Sequence, residues 1–213
     1  MTQEKKKSNK LPIFTTPRGR TEWAKLWIPD TKFNVDGEYG TKLIMDNADA
    51  TDLMAMLDAA HALAIDAAVE ETGKKREKIR VTDPYDVNQE TGDVTIKLKL
   101  KAFVQPQKGP SFTQKPTVVD ASRKPILKDM PLWNGSLIRV GFQVIPYYTA
   151  LAGAGLSLRL RTVQVLEALE AGAADVSMFD DEEGYSHEEE FMTPEQNLNK
   201  EMEDSGEYED IPF

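Results

Sequence analysis

The sequence predicts a mainly β fold: an OB-fold-like antiparallel barrel with one main helix and a disordered acidic C-terminal tail. Three observations lead to this prediction. Apolar and polar residues alternate strongly over residues 94–104, several shorter strand-like stretches occur along the chain, and one long segment between them has helical periodicity. The OB-fold is a small five-stranded barrel that binds oligonucleotides on one face. A β-sandwich is the alternative that the sequence leaves open.

The predicted strands are spread along the chain. Two of them, at residues 21–28 and 39–45, precede the helix. The next covers residues 94–104, where every second residue is expected to face the core; these residues are Val94, Ile96, Leu98, Leu100, Ala102 and Val104. Two further strands are expected at residues 136–145 and 156–166, after a long loop rich in proline, glycine and lysine.

The main helix is predicted over residues 47–72. Apolar side chains recur there at three- and four-residue spacing, as on the buried face of a helix; they are Leu53, Met56, Leu57, Ala60, Leu63, Ala64 and Ala67. Asn47 or Asp49 is expected to cap the start of this helix, and Gly73 its end.

Charge divides the chain into unlike parts. The whole chain has a net charge of −10, yet residues 175–213 contain 15 acidic residues and one lysine, so the preceding residues have a net charge of +4. An acidic tail on a basic body is typical of proteins that bind polyanions. The predicted organisation is therefore a flexible basic N-terminus (1–11), an OB-fold domain (12–172) and a disordered acidic tail (173–213).

The composition also predicts where the protein acts. There is no cysteine, which excludes a disulfide scaffold and thiolate zinc sites. Lys5, Lys6 and Lys7 are followed by a polar stretch and Pro12, which is not the pattern of a signal peptide. No apolar run approaches the length of about 20 residues that a membrane helix needs. We expect a cytoplasmic protein that does not contact membranes.

Basic and aromatic residues are interleaved on predicted strand faces, as a single-stranded nucleic-acid groove requires, because rings stack on bases and cations contact phosphates. The residues predicted to bind are Trp23, Lys25, Trp27, Lys97, Lys99, Lys101, Phe103, Arg159 and Arg161. Taken singly, the lysine row is more typical of a solvated face or a protected strand edge, and the tryptophans are more typical of a core. Their combination with a basic body and an acidic tail favours a DNA-binding face.

The end of the chain has its own pattern. After a long acidic stretch it finishes with Asp210, Ile211, Pro212 and Phe213, and a tail that only improves solubility has no need of apolar residues at its free end. These four residues resemble the tip of bacterial single-stranded DNA-binding proteins. That resemblance implies that the tip recruits replication, recombination or repair enzymes.

The body resembles phage-encoded single-stranded DNA-binding proteins more than the bacterial ones. The blocks that carry this resemblance are residues 23–27, 39–45, 134–136 and 163–166. The resemblance implies an OB-fold with an acidic tail ending in phenylalanine, single-stranded DNA as the ligand, and the host cytoplasm as the location. It leaves the oligomeric state open and allows a homodimer.

No enzyme motif is visible. The two histidines, His61 and His187, fall in the helix and in the tail, so no histidine triad or metal cluster is expected, and neither is a cofactor. Two alternatives remain. One is an adaptor that binds proteins and has no DNA affinity. The other is a divalent-metal nuclease, whose best candidates are Asp83, Asp86 and Asp93, although all three are more typical of turns.

Overall fold

The computed structural model describes residues 11–32, 34–106, 109–127 and 132–169. Most of the predicted basic N-terminus (1–11) and the predicted acidic tail with its tip (173–213) lie outside these ranges. The strands in the described ranges are β1 (Phe14–Thr15), β2 (Gly19–Asp30), β3 (Glu38–Met45), β4 (Asp86–Val87), β5 (Val94–Lys101), β6 (Phe103–Val104), β7 (Phe112–Thr113), β8 (Thr117–Val119), β9 (Leu137–Thr149) and β10 (Gly153–Glu167). Helix α1 (Asn47–Thr72) and a 3-10 turn (Arg76–Lys78) lie between β3 and β4.

Five strands close into a barrel. β2 pairs with β3, β3 with β5, β5 with β10, β10 with β9, and β9 pairs again with β2. The predicted mainly β, OB-fold-like barrel with one main helix is therefore confirmed. It is mixed rather than wholly antiparallel, because β5 and β10 run parallel. The long stretch of chain between these two strands supplies the crossover that a parallel pairing requires.

The remaining short strands extend or flank the barrel. β1 pairs with the β9 edge, β4 pairs with β5, and β8 runs parallel to β10. β6 and β7 form a separate two-stranded hairpin beyond the end of β5. Of these, β4 and the β6–β7 hairpin matter most for the site described below, because both adjoin the strand that carries the lysine row.

β5 shows the predicted alternation over most of its length. Its apolar residues are all buried in the core, and they are Val94, Ile96, Leu98 and Leu100. The strand ends at Lys101, however, three residues earlier than predicted. The Ala102 N–H donates to the Gly37 carbonyl (2.8 Å), and Phe103 and Val104 pair with β7. Phe103 therefore does not continue the face that the lysines share.

β2 departs from simple alternation. Its pairing with β3 is irregular between Glu22 and Lys25, and again between Lys25 and Asp30. Such irregularities change which residues face the core. As a result Leu26 is buried, while Ile28, which regular alternation would place on the same face, is 68% exposed.

Helix α1 occupies the predicted residues, but the set of residues that it buries against the barrel differs slightly from the predicted set. Its buried residues are Ala50, Leu53, Leu57, His61, Ala64, Ile65 and Ala68. Leu63, predicted to be buried, is 71% exposed. Gly73 ends the helix as predicted, with a left-handed φ of 63° and its N–H donating to the Val69 carbonyl. The residue at the start is Asp46, not Asn47 or Asp49, and its side chain makes no capping hydrogen bond.

No helix in the described ranges combines the length and the apolar character needed to cross a membrane.

Candidate nucleic-acid interface

Trp23 is an exposed aromatic ring on a constrained backbone. Its side chain is 67% exposed, and its φ is 53°, in the left-handed region that residues with a side chain rarely adopt. The Trp23 N–H donates to the Asn134 side-chain oxygen (2.8 Å), which ties β2 to the turn before β9. Trp23 lies within the irregularity of the β2–β3 pairing between Glu22 and Lys25, where a bulged residue can adopt such a backbone.

The Trp23 indole opens onto a shallow groove of about 190 Å³. Its lining residues come from β2, β3 and β5, and they are Trp23, Lys25, Asp30, Glu38, Gly40, Thr41, Lys42, Lys97, Leu98 and Lys99. Gly40 pairs with Lys25 on one side and with Lys99 on the other. A Cβ at this position would approach the Leu98 carbonyl oxygen to 2.9 Å, so the glycine keeps the groove floor open between the two lysines.

Acidic neighbours hold the lysines loosely. The Lys99 ammonium lies 2.7 Å from a Glu38 carboxylate oxygen, and the Lys97 ammonium lies 3.5 Å from Asp86. The side chains of both lysines are more than half exposed. Exposed ion pairs of this kind contribute between about 0 and 1 kcal/mol, so a phosphate can replace the carboxylates at little cost.

The basic row continues around the barrel. Arg159 of β10 pairs directly with Lys99 of β5, so the two side chains occupy neighbouring positions on one face. Lys101 is exposed and pairs with Glu38, at the end of the same strand. Arg161 falls at the irregularity between Leu160 and Thr162, where the β10 alternation is interrupted, and it is half-buried.

Two of the predicted aromatic residues lie apart from this face. Trp27 packs against the hydrophobic core, and its indole N–H is buried without a hydrogen-bond acceptor among the described residues. Regular alternation would place Trp27 on the face of Trp23 and Lys25, but the pairing of β2 is irregular between Lys25 and Asp30, and Trp27 turns towards the core. Phe103 is half-buried in the β6–β7 hairpin. The structure thus brings together Trp23, Lys25, Lys97 and Lys99, with Arg159 alongside.

Sequence reasoning missed three residues of this face. Lys42 lines the groove and pairs with Lys97. Gly40 provides the floor, and Asn134 fixes the Trp23 backbone. The strand-like alternation over residues 39–45 could have identified Lys42, because it lies two residues from Gly40 on the same face. No sequence signal connects Asn134 with Trp23, since 111 residues separate them.

The acids considered for a nuclease do not form a metal site in the described part of the chain. Asp83 and Asp86 line a second cavity beside Lys97, while Asp93 lies in the turn between β4 and β5. The Asp93 carbonyl accepts the Asn88 N–H (2.9 Å), as expected of a turn residue. Within the described ranges, no three histidine, aspartate or glutamate side chains are grouped so that they could hold a metal ion.

Solved structures of two phage proteins have a similar fold. Gp2.5, a single-stranded DNA-binding protein encoded by bacteriophage T7, shares 25% identity at a TM-score of 0.68, and the match covers 84% of this chain and 100% of gp2.5. The single-stranded DNA-binding protein from bacteriophage Enc34, in a C-terminal truncation, shares 11% identity at a TM-score of 0.54, over 74% of this chain and 87% of that one.

The Enc34 protein in complex with single-stranded DNA matches with 12% identity and a TM-score of 0.51, over 74% of this chain and 88% of that chain. At such identities the Enc34 structures show a shared fold. A search of curated proteins found no significant match. The sequence profile of the family described as Enterobacter phage Enc34, ssDNA-binding protein, matches residues 13–192. The resemblance to phage-encoded single-stranded DNA-binding proteins is thereby confirmed, and the chain belongs to the Enc34 ssDNA-binding protein family.

Proposed function

We propose that this protein binds single-stranded DNA with little sequence preference and without catalysis. It protects exposed strands during replication, recombination or repair in the cytoplasm of the host cell. The observation that carries the proposal is the groove in which the exposed Trp23 indole faces Lys25, Lys97 and Lys99. An aromatic ring beside a row of exposed cations is the combination that holds single strands irrespective of base.

The two kinds of contact have different physical consequences. Stacking of a base on the Trp23 ring contributes about 1–3 kcal/mol and accepts every base, because each base has an aromatic face. Contacts between phosphates and Lys25, Lys97, Lys99 and Arg159 release counterions, so the affinity they provide falls as salt rises.

The acidic tail has a separate role in this proposal. Residues 12–172 form the DNA-binding domain, residues 1–11 are a basic extension, and residues 173–213 present the tip. The tip residues Asp210, Ile211, Pro212 and Phe213 recruit enzymes that act on single-stranded DNA. Apolar residues beside acidic residues form a compact ligand for a pocket with a basic rim, and Pro212 lowers the entropy lost on docking.

The double variant Lys97→Ala/Lys99→Ala tests the groove. We expect weaker binding of a fluorescently labelled oligo-dT, followed by anisotropy at several salt concentrations. The dependence of log affinity on log salt should flatten by about 1.4, because each phosphate contact on a single strand contributes about 0.7. The stability of the fold should be unchanged, since both side chains are exposed and their ion pairs are weak.

The matched control is Lys74→Ala/Lys75→Ala, which removes the same charge from exposed positions outside the groove. It should keep nearly the full salt dependence. If the two double variants lose the same amount of affinity and salt dependence, net charge, not the groove, determines binding. No measurable affinity of the unaltered chain for oligo-dT would reject the proposal and favour a protein-binding adaptor.

A further inference from the structure

A second exposed tryptophan lies outside the groove, on the turn before β9. Trp133 is 48% exposed, although the residue before it, Leu132, is buried in the core. The other two of the chain's three tryptophans are Trp23, which is exposed in the groove, and Trp27, which packs against the core. Tryptophan is common at binding surfaces because its ring offers a large apolar area at low entropy cost. The exposed Trp133 ring is therefore a candidate contact for a ligand.

The turn that carries Trp133 is fixed to β2 beside Trp23. Within the turn, the Ser136 N–H donates to the Trp133 carbonyl (3.1 Å), and Gly135 has a left-handed φ of 93°. The Gly135 N–H then donates to the Thr21 carbonyl (2.8 Å). Together with the side-chain hydrogen bond to the Trp23 N–H described above, this contact holds the two exposed tryptophans on adjoining segments.

The other side of the turn is closed by the residues that follow β10. The Leu169 N–H donates to the Ser136 hydroxyl oxygen (3.0 Å). A Cβ at Gly135 would lie 3.0 Å from a methyl carbon of Leu169, so the Leu169 side chain lies directly over the glycine. The turn is thus held on two sides before any ligand arrives, which lowers the entropy cost of binding at Trp133.

Arg20 extends the basic row of the groove towards this turn. The pairing of β2 with β3 is regular from Arg20 to Glu22, and Glu22 lies opposite Lys42, with 3.9 Å between carboxylate and ammonium. Arg20 and Glu22 therefore share the outer face with Lys42, since Thr21 between them is fully buried. Arg20 also pairs with Leu137, the first residue of β9 after the turn. The Arg20 side chain is exposed and has no ion-pair partner among the described residues.

We propose that Arg20 and Trp133 form a second contact site for the bound single strand, beyond the Trp23 groove. Arg20 contacts a phosphate, and the Trp133 ring stacks on a base. The inference deepens the proposed DNA-binding function and rests on it. A strand that leaves the groove past Lys97 and Lys42 meets Arg20 next on the outer face of β2, and the turn with Trp133 adjoins it. A ring beside an exposed cation repeats the combination found in the groove.

Strand length separates the two sites. Affinities of the full chain are measured by anisotropy for oligo-dT strands of about 4 to 16 nucleotides, the range of site sizes of one OB-fold. Trp133→Ala should bind the shortest strands, which the groove alone holds, as the unaltered chain does. It should lose affinity for the longer strands by about 5- to 150-fold, as expected for one stacked base. Equal loss at every length would overturn a separate site.

Two controls accompany this measurement. Trp133→Phe keeps a ring and should lose less affinity for long strands than Trp133→Ala. Leu63→Ala removes another exposed apolar side chain, from helix α1, and should bind as the unaltered chain at every length.

Salt dependence tests the arginine. In Arg20→Ala the dependence of log affinity on log salt should flatten by about 0.7 for long strands, the share of one phosphate contact, and should not change for the shortest strands. Arg20→Lys keeps the charge and should keep the slope. A slope that Arg20→Ala leaves unchanged at every length would remove Arg20 from the site.

A further measurement does not depend on how the variants fold. A single 5-iodo-deoxyuridine, moved along a long oligo-dT strand, should cross-link the unaltered chain to Trp23 and, from a separate position, to Trp133. Cross-links confined to Trp23, with Trp133→Ala binding as the unaltered chain at every length, would overturn the second site and leave the DNA-binding proposal intact. If Trp133→Ala instead lowered only the sedimentation coefficient of the DNA-free protein, the ring would contact a second copy, and the proposal would again be overturned. No binding of oligo-dT by the unaltered chain would overturn both proposals.

Discussion

At the scale of single residues, Trp23 combines an exposed ring with a left-handed backbone, and these two properties can be separated by substitution. A left-handed conformation costs a residue with a side chain about 1–2 kcal/mol, whereas glycine adopts it freely. Since the exposed indole buries little surface, we expect Trp23→Gly to be about 1 kcal/mol more stable than Trp23→Ala in urea unfolding.

Both Trp23 variants should nevertheless lose affinity for labelled oligo-dT by about 1–3 kcal/mol, because both remove the stacking ring. Trp23→Phe provides the control, since it keeps a ring and should bind more tightly than either. If Trp23→Gly binds as tightly as the unaltered chain, the ring does not contact DNA, and the strained backbone must have another cause.

At the scale of elements, Tyr85 joins the segment before β4 to helix α1. Burial, with the hydrogen bond to Asp58 and the nearby negative charges, raises the pKa of Tyr85 above its ordinary value near 10. The neutral phenol is thus favoured in the folded protein. Its contribution to stability is complete below about pH 10, the pKa in the unfolded chain, and is lost as pH rises through the higher pKa of the folded state.

Replacing Tyr85 by phenylalanine should therefore cost about 0.5–1.5 kcal/mol of unfolding free energy at pH 8, the usual worth of one hydrogen bond. At pH 11 and above, the difference between the two proteins should shrink, because the unaltered tyrosine also loses its donor proton. Urea unfolding at the two pH values measures this. A difference that stays constant with pH would mean that the hydroxyl contributes packing and not a hydrogen bond.

β5 and β2 show how far sequence reasoning reaches at this scale. In β5 the alternation predicts the buried and exposed sets as far as Lys101, because the pairing with β3 is regular along its whole length. In β2 the same reasoning fails at Trp27 and Ile28, because the pairing is irregular and alternation carries no information about where a strand bulges. Local pattern thus predicts regular strands and misses their interruptions.

The same limit applies to the candidate site: residues with a local sequence signal could be predicted, and contacts between distant segments could not. The lysines and Trp23 could be proposed from sequence, since each has a local signal of charge or aromatic spacing. Contacts between distant segments left no such signal; among them are the hydrogen bonds that join the turn before β9 to β2. They follow from the closure of the barrel, which brings β9 and β10 beside strands far away in the sequence.

At the scale of the whole molecule, opposite charges are joined in one chain. Residues 175–213 have a net charge of −14, and the preceding residues have a net charge of +4. A tethered segment has a high effective concentration near its own domain, so we expect the tail to compete with DNA phosphates for the lysines of the groove. We expect a chain ending at Ala174 to bind oligo-dT about tenfold more tightly at low salt.

This advantage should decrease as salt rises, because screening weakens the attraction of the tail to the groove. A chain of full length in which the 15 acidic residues of the tail are replaced by their amides isolates the cause. If charge is responsible, it should bind DNA like the truncated chain. The amide variant could instead bind like the unaltered chain while truncation alone tightens binding. The tail would then obstruct the groove by its bulk and would not pair with the lysines.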